Sequence, residues 1–186
     1  MHFLFDIRKA IAATAYLCKM SGGSLNALHL IKMLYDADRT ALVSWHRTIT
    51  GDRFFSMKNG PILSRVYDLM CGRVFGAEME AWSATFNPRD GNIISLKQLD
   101  IALGPLSRRE VEALQTAFDK FKNVPVGQLI EFLHKVLPEW KDPGNSSSPI
   151  DPKTILRHEG VTEEELLEIE EELALVQSAK VALQAV

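Results

Sequence analysis

Only two cysteines, Cys18 and Cys71, occur in 186 residues, and no CxxC or other ligand spacing relates them. That scarcity excludes a disulfide-stapled scaffold and a cysteine-based zinc module. Both side chains read as reduced thiols of a cytoplasmic protein. Long apolar runs are also missing: nothing approaches the about 18–20 residues that a membrane span needs. The opening Met1-His2-Phe3-Leu4-Phe5-Asp6 lacks a basic segment, and Asp6, Arg8 and Lys9 interrupt its apolar stretch, so it does not read as a signal peptide.

Charge of one sign is equally scarce, with 21 basic against 24 acidic side chains and a net charge of −3. The imbalance that exists is local. Residues 161–186 hold seven glutamates against one lysine, Lys180, a balance of −6 that leaves +3 on the rest. A nucleic-acid binder needs a concentrated basic surface to neutralise phosphates, and +3 does not supply one. No recognisable helix-turn-helix is present, so a DNA-binding regulator of its own operon is only an alternative reading. No GxSxG, GxGxxG or GxxxxGK[ST] loop occurs. The five histidines (2, 29, 46, 134, 158) show no HxxxH or HExxH spacing. The expectation is no cofactor, no metal and no catalytic site.

What is present is helical periodicity. Apolar residues at Ile7, Ile11, Thr14, Leu17 and Cys18 predict a helix over 5–20, broken by Gly22-Gly23. Ser24 can cap a second helix from Leu25 to about Arg47, with Leu28, Ile31, Tyr35, Leu42 and Trp45 on its inner face. Phe54–Met57 reads as a short extended stretch. Pro61 reads as the first residue of a helix ending near Gly72. Trp82–Phe86 and Ile93–Lys97 flank Pro88-Arg89-Asp90-Gly91, which predicts a β-hairpin. Ser107 to Glu110 forms a capping box before a helix to about Lys122. Pro125 opens another, with Leu129, Phe132, Leu133 and Val136 inward. Residues 141–149 read as a surface loop, and Asp151-Pro152 starts a short helix. Thr162 to Glu165, a second capping box, opens an acidic amphipathic helix with apolar positions 166, 169, 173 and 176.

The sum is a mainly α protein: a single helical domain over 1–160 with one small β-hairpin, then an acidic amphipathic helix and tail over 161–186. That last helix either docks on the domain's own core or serves self-association or a partner.

Asp38 interrupts the inner stripe of the second helix. A buried, unpaired carboxylate is very costly, so it should accept hydrogen bonds from Arg39, Arg53 or the free N–H groups of the 50–61 loop. Asp36, two residues away, must point to another face. An enzyme reading would build a non-standard site around Asp38, Arg39, Asp52 and His46. Trp140 reads either as a ring covering the end of its helix or as an interface anchor.

The helix sequence Lys32-x-x-Tyr35-x-x-Asp38-Arg39, the turn Ile49-x-Gly51-Asp52 and the pair Gly60-Pro61 together resemble the Panacea domain of SocA-like antitoxins. Residues 132–140, Phe-Leu-His-Lys-Val-Leu-Pro-Glu-Trp140, resemble that family's His-then-Trp segment. The resemblance spans roughly residues 5–145. The family often carries His before Gly-Pro, and here Asn59 stands there, suited to a turn. The resemblance implies a mainly helical antitoxin that neutralises a cognate protein toxin by direct contact. It also implies an adaptor variant, which delivers the toxin to a ClpXP-type protease. It marks Lys32, Tyr35, Asp38, Arg39, Gly51, Asp52, Asn59, Gly60, Pro61 and Trp140 as structural or partner-facing residues. The partner surface is expected around the 82–97 hairpin and the 48–61 loop. The apolar carboxyl end, 180–186, is the expected segment for a protease to engage.

Overall fold

A computed structural model describes every residue except 101, 103, 185 and 186, and within the last helix it omits the side chains of 177 and 180–184. The expected apolar carboxyl end therefore lies outside the described side chains. Among the described residues, no helix is long and apolar enough to cross a membrane.

The first helix, α1 (Ile7–Met20), starts where the Asp6 carboxylate accepts the N–H groups of Arg8 and Lys9. Strand β1 (Ser24–Asn26) follows, and the Asn26 side chain caps α2 (Ala27–Trp45) in the same way. The expected start at Leu25 is thus displaced by strand pairing of Leu25. Every residue of α2 from Leu30 to Asp38 is buried. The helix is the axle of the fold, contacted by α1, by β1 and by the later elements Gly60–Leu63, Ser64–Met70, Arg108–Phe121, Val126–Val136 and Pro152–His158. Its burial is therefore not the one-sided stripe that the spacing suggested, and Leu28 and Trp45 are only half-buried. A helix enclosed on all sides has no single apolar face to detect.

Strands β2 (Phe54–Met57) and β3 (Gly60–Leu63) form the true hairpin, joined through Lys58 and Asn59. Pro61 lies inside β3 rather than at a helix start, which corrects that expectation. An edge strand tolerates a residue without N–H, and β3 is an edge of its three-stranded sheet. Helix α3 (Ser64–Met70) begins three residues later. Helix α4 (Ala77–Thr85) takes the segment expected as a hairpin arm. Ala77-Glu-Met-Glu-Ala-Trp-Ser-Ala84 is rich in helix formers, and that local preference wins. The 88–91 turn does reverse the chain, and Ile93 donates to the Asp90 carbonyl at 2.8 Å. Strand β4 (Ile93–Ser95), however, pairs antiparallel with β1, opposing Leu25 to Ile94. Of the expected hairpin, isolated bridges between Phe86 and Leu96 and between Asp90 and Ile93 remain, with Asn87 donating to the Ser95 carbonyl at 2.9 Å and Lys97 to the Thr85 carbonyl at 3.0 Å.

Helix α5 (Arg108–Phe121) carries the expected Ser107–Glu110 capping box. Glu110 also binds Lys9 at 2.6 Å, and Lys120 binds Asp36 at 2.7 Å, tying α5 to α1 and α2. Helix α6 (Val126–Val136) buries Leu129 and Leu133. Phe132 and Val136, expected inward, remain 42% and 45% exposed. The last three residues of the expected 141–149 loop join β5 (Ser147–Ile150), which pairs with β2 to give the order β3-β2-β5. Ser147-Ser148-Pro149 has little strand propensity, so only the free edge of β2 explains this pairing.

Helix α7 (Pro152–His158) starts at the Asp151 cap as expected. Thr162 and Glu165 exchange the hydrogen bonds of a capping box at the head of α8 (Glu163–Gln184). Leu166, Ile169 and Leu173 are buried. Glu170 binds both the Met1 amino group and Lys153, and Glu172 binds Arg47. The inner face of α8 is therefore docked on its own chain.

Candidate functional site

The motif residues gather on one side of α2 in two adjoining corners. In the first, Asp38 is almost completely buried and accepts the Ile49 N–H at 2.8 Å, the Thr50 N–H at 3.2 Å and the Thr50 hydroxyl. Thr50 is a donor from the expected 50–61 loop, Ile49 precedes that loop, and Arg39 and Arg53 are not among the donors. Burial pushes the Asp38 carboxyl up to about 7, against the opposite pull of the Thr50 and Ile49 hydrogen bonds.

Gly51 follows with φ +70°, and a Cβ on it would sit 1.9 Å from the Leu4 carbonyl oxygen. Only glycine lets the N-terminal segment cross here. Asp52 then accepts the N–H groups of Arg53, Arg65 and Val66. Because Leu63, at the N-cap position of α3, offers no capping side chain, Asp52 caps that helix from twelve residues upstream of Ser64. Burial raises its carboxyl and the three N–H donors oppose the rise.

Arg39 leaves α2 in another direction. Its Nε and Nη2 donate to Glu139 at 2.7 and 3.3 Å, and Nη2 also donates to Glu159 at 2.6 Å. Burial works to lower the guanidinium, but the bonds to both glutamates outweigh it and hold it above its ordinary value. The Tyr35 hydroxyl donates to the same Glu139 at 2.8 Å, and burial followed by Glu139 pushes the phenol well up. Glu139 stands inside the His-then-Trp segment, so the sequence offered a pointer to it. Glu159 left no such signal.

The second corner is less completely bonded. Lys32 is 1% exposed, and its ammonium donates to the Pro61 carbonyl at 2.7 Å, with no carboxylate partner among the described residues. Burial pulls it down to about 7. His134 stacks on Trp140 with centroids 3.7 Å apart and planes 8° apart. Trp140 in turn donates its indole N–H to the Met57 carbonyl at 3.0 Å. The His134 Nε2 is buried and has no hydrogen-bond partner among the described residues, and burial, then Lys32, lowers the ring's pKa. Gly60, with φ +92°, covers this corner. A Cβ there would lie 3.1 Å from Lys32 Nζ and 3.5 Å from His134 Nε2. Asn59 is exposed at the hairpin turn next to it.

Among the described residues, no hydrogen bond joins any two of Asp38, Arg39, Asp52 and His46. His46 caps the far end of α2 with φ 56° and lines a groove with Glu165 and Glu168 of α8. The carboxylates of the first corner are already committed to N–H and O–H donors, so the arrangement binds protein to protein segment rather than presenting a free base. Among the described residues, no group of His, Cys, Asp or Glu has the arrangement to hold a metal ion.

The family profile described as "Antitoxin SocA-like, Panacea domain" matches residues 30–141, more than half of the chain. No curated protein and no solved structure matches.

Proposed function

The chain belongs to the SocA-like antitoxin family through its Panacea domain, and from that premise we propose that it neutralises a cognate toxin by direct protein contact. The observation that carries the reading is the match itself, which contains both corners of the site except Glu159. The geometry supports a binding module: the motif's carboxylates and guanidinium fasten α2 to the 48–52 turn, α3 and the 139–140 segment, so they build a scaffold. In this reading the protein is not an enzyme and works in the cytoplasm. The exposed Lys58-Asn59 turn, backed by Trp140, is the motif's partner-facing end.

An adaptor mode, with delivery of the toxin to a ClpXP-type protease, is the finer form of the same proposal. It assigns protease engagement to residues 177–186 and toxin contact to the domain. Shortening the chain by residues 177–186 should then lengthen its cellular half-life while toxin binding persists.

The test is co-expression with the product of the adjacent gene. Rescue of growth together with a co-purifying complex supports the reading. A toxic neighbour that the chain neither binds nor neutralises would overturn it.

A further inference from the structure

We propose that the cleft between α3, α4 and β4 is a self-association site, and that its occupant is the outer face of α8 from a second copy of the chain. The cleft encloses about 650 Å3, a size that accepts a few inserted side chains. Met79, Trp82, Phe86 and Ile94 give it an apolar floor, with the Trp82 and Phe86 rings 4.2 Å apart. Arg73, Arg89 and Lys97 line it as well, and no acidic residue does. Arg89 donates to the Gly91 carbonyl, Asn92 Oδ1 and Cys71 Sγ, none of them a carboxylate. Among the described residues, the one carboxylate within ion-pair reach of these three cations is Asp68, 4.0 Å from Arg73.

Helix α8 carries the complement. Glu163, Glu170 and Glu172 are neutralised by Arg157, by Lys153 with the Met1 amino group, and by Arg47. Glu164, Glu168 and Glu171 make no ion pair among the described residues. Their spacing of four and three sets them on one stripe, opposite the buried Leu166, Ile169 and Leu173. Leu167 and Leu175 flank that stripe, 62% and 72% exposed. A single exposed leucine is ordinary on a protein surface. Here two of them accompany three unneutralised glutamates, matching the cleft in both sign and polarity. The ties of α8 to Met1, Arg47, Lys153 and Arg157 turn this stripe away from its own chain, which leaves a second copy to supply it. Reciprocal exchange of two such contacts gives a closed twofold dimer. The inference stands apart from the toxin reading, because the probe is the protein itself.

Sedimentation equilibrium of the full chain at low salt should show a reversible dimer that high salt dissociates. Arg89→Glu with Lys97→Glu, and separately Glu168→Lys with Glu171→Lys, should each weaken self-association at least about tenfold. All four side chains are exposed, so far-UV circular dichroism should stay unchanged. Mixing the two double variants should restore the dimer, because each contact then pairs opposite signs again. A wild-type chain that stays monomeric at low salt overturns the proposal. So does a dimer that either charge reversal leaves intact, or a pair of weakened variants that fail to associate when mixed.

Discussion

The turn at 48–52 and the corner beneath Gly60 belong to one motif but are built on opposite principles. At the turn, the polar side chains that leave α2 or the loop reach several donors: Asp38 holds two backbone N–H groups and a hydroxyl, and Asp52 holds three N–H groups. Beneath Gly60, Lys32 keeps one acceptor and His134 Nε2 none. Satisfied buried groups specify a structure and make it brittle to change, whereas under-satisfied ones cost stability that substitution can recover. The motif therefore combines a rigid fastening with a corner that its own neighbours leave under-bonded.

Gly51→Ala should break the fastened side most severely. The new Cβ would collide with the Leu4 carbonyl at a backbone φ of +70°, a combined clash and strain of about 3 kcal/mol or more. Thermal or urea melts read it directly, and a near-native midpoint would show that the N-terminal crossing is dispensable. Asp38→Ala comes next, at about 3 kcal/mol, because it strands the Ile49 and Thr50 N–H groups in the interior. Asp38→Asn keeps one acceptor oxygen and should lose less. An Asp38→Ala protein that melts like wild type yet fails to act would return the enzyme reading to consideration.

The two corners should also respond to pH with opposite sign. Lys32 sits at about 7 when folded, below its ordinary 10.5, so between those values the unfolded chain binds more protons and stability rises with pH. Asp38 sits at about 7 when folded, above its ordinary 3.8, so between those values the folded chain binds more protons and stability falls as pH rises. Each slope approaches about 1.4 kcal/mol per pH unit inside its window. Lys32→Met should flatten the alkaline limb and leave the acid limb in place. An unchanged limb from pH 7 to 10 would show that Lys32 is not the titrating group.

Much of the fastened corner could be read in the sequence. A carboxylate in the middle of an apolar stripe required donors, and the 50–61 segment was the nearest source of free N–H groups. Helix starts were equally legible where the sequence showed a local capping side chain, as at Ser107, Asp151 and Thr162, whereas the Asp6 cap of α1 was not read. What escaped reading depends on partners distant in sequence. Asp52 caps α3 across the β2–β3 hairpin, and Glu159 reaches Arg39 from the far side of β5 and α7. The sheets escaped for the same reason: β1 finds β4 and β2 finds β5 across long separations, while the segment before the 88–91 turn keeps its helical preference. Pro61 misled because its fixed φ suits a helix start and an edge strand alike.

The smallest expected effect sharpens the comparison from the under-bonded side. His134→Phe removes a buried ring nitrogen that has no partner and retains a flat ring to stack on Trp140. Little hydrogen bonding is lost at Nε2, and the desolvation of an unpaired polar atom is relieved. The stack itself rests on overlap that a phenyl ring also supplies. It also takes away the ring that faces the Lys32 ammonium and feels its charge. The melting free energy should stay within about 1 kcal/mol of wild type, with stabilisation the favoured direction. His134→Ala is the control, because it leaves the exposed face of the Trp140 ring uncovered and should cost more than the phenylalanine. A His134→Phe variant as damaged as Asp38→Ala would erase the distinction between the corners. It would mean that Nε2 has a binding partner in solution, and that the Gly60 corner is as tightly fastened as the turn beside it.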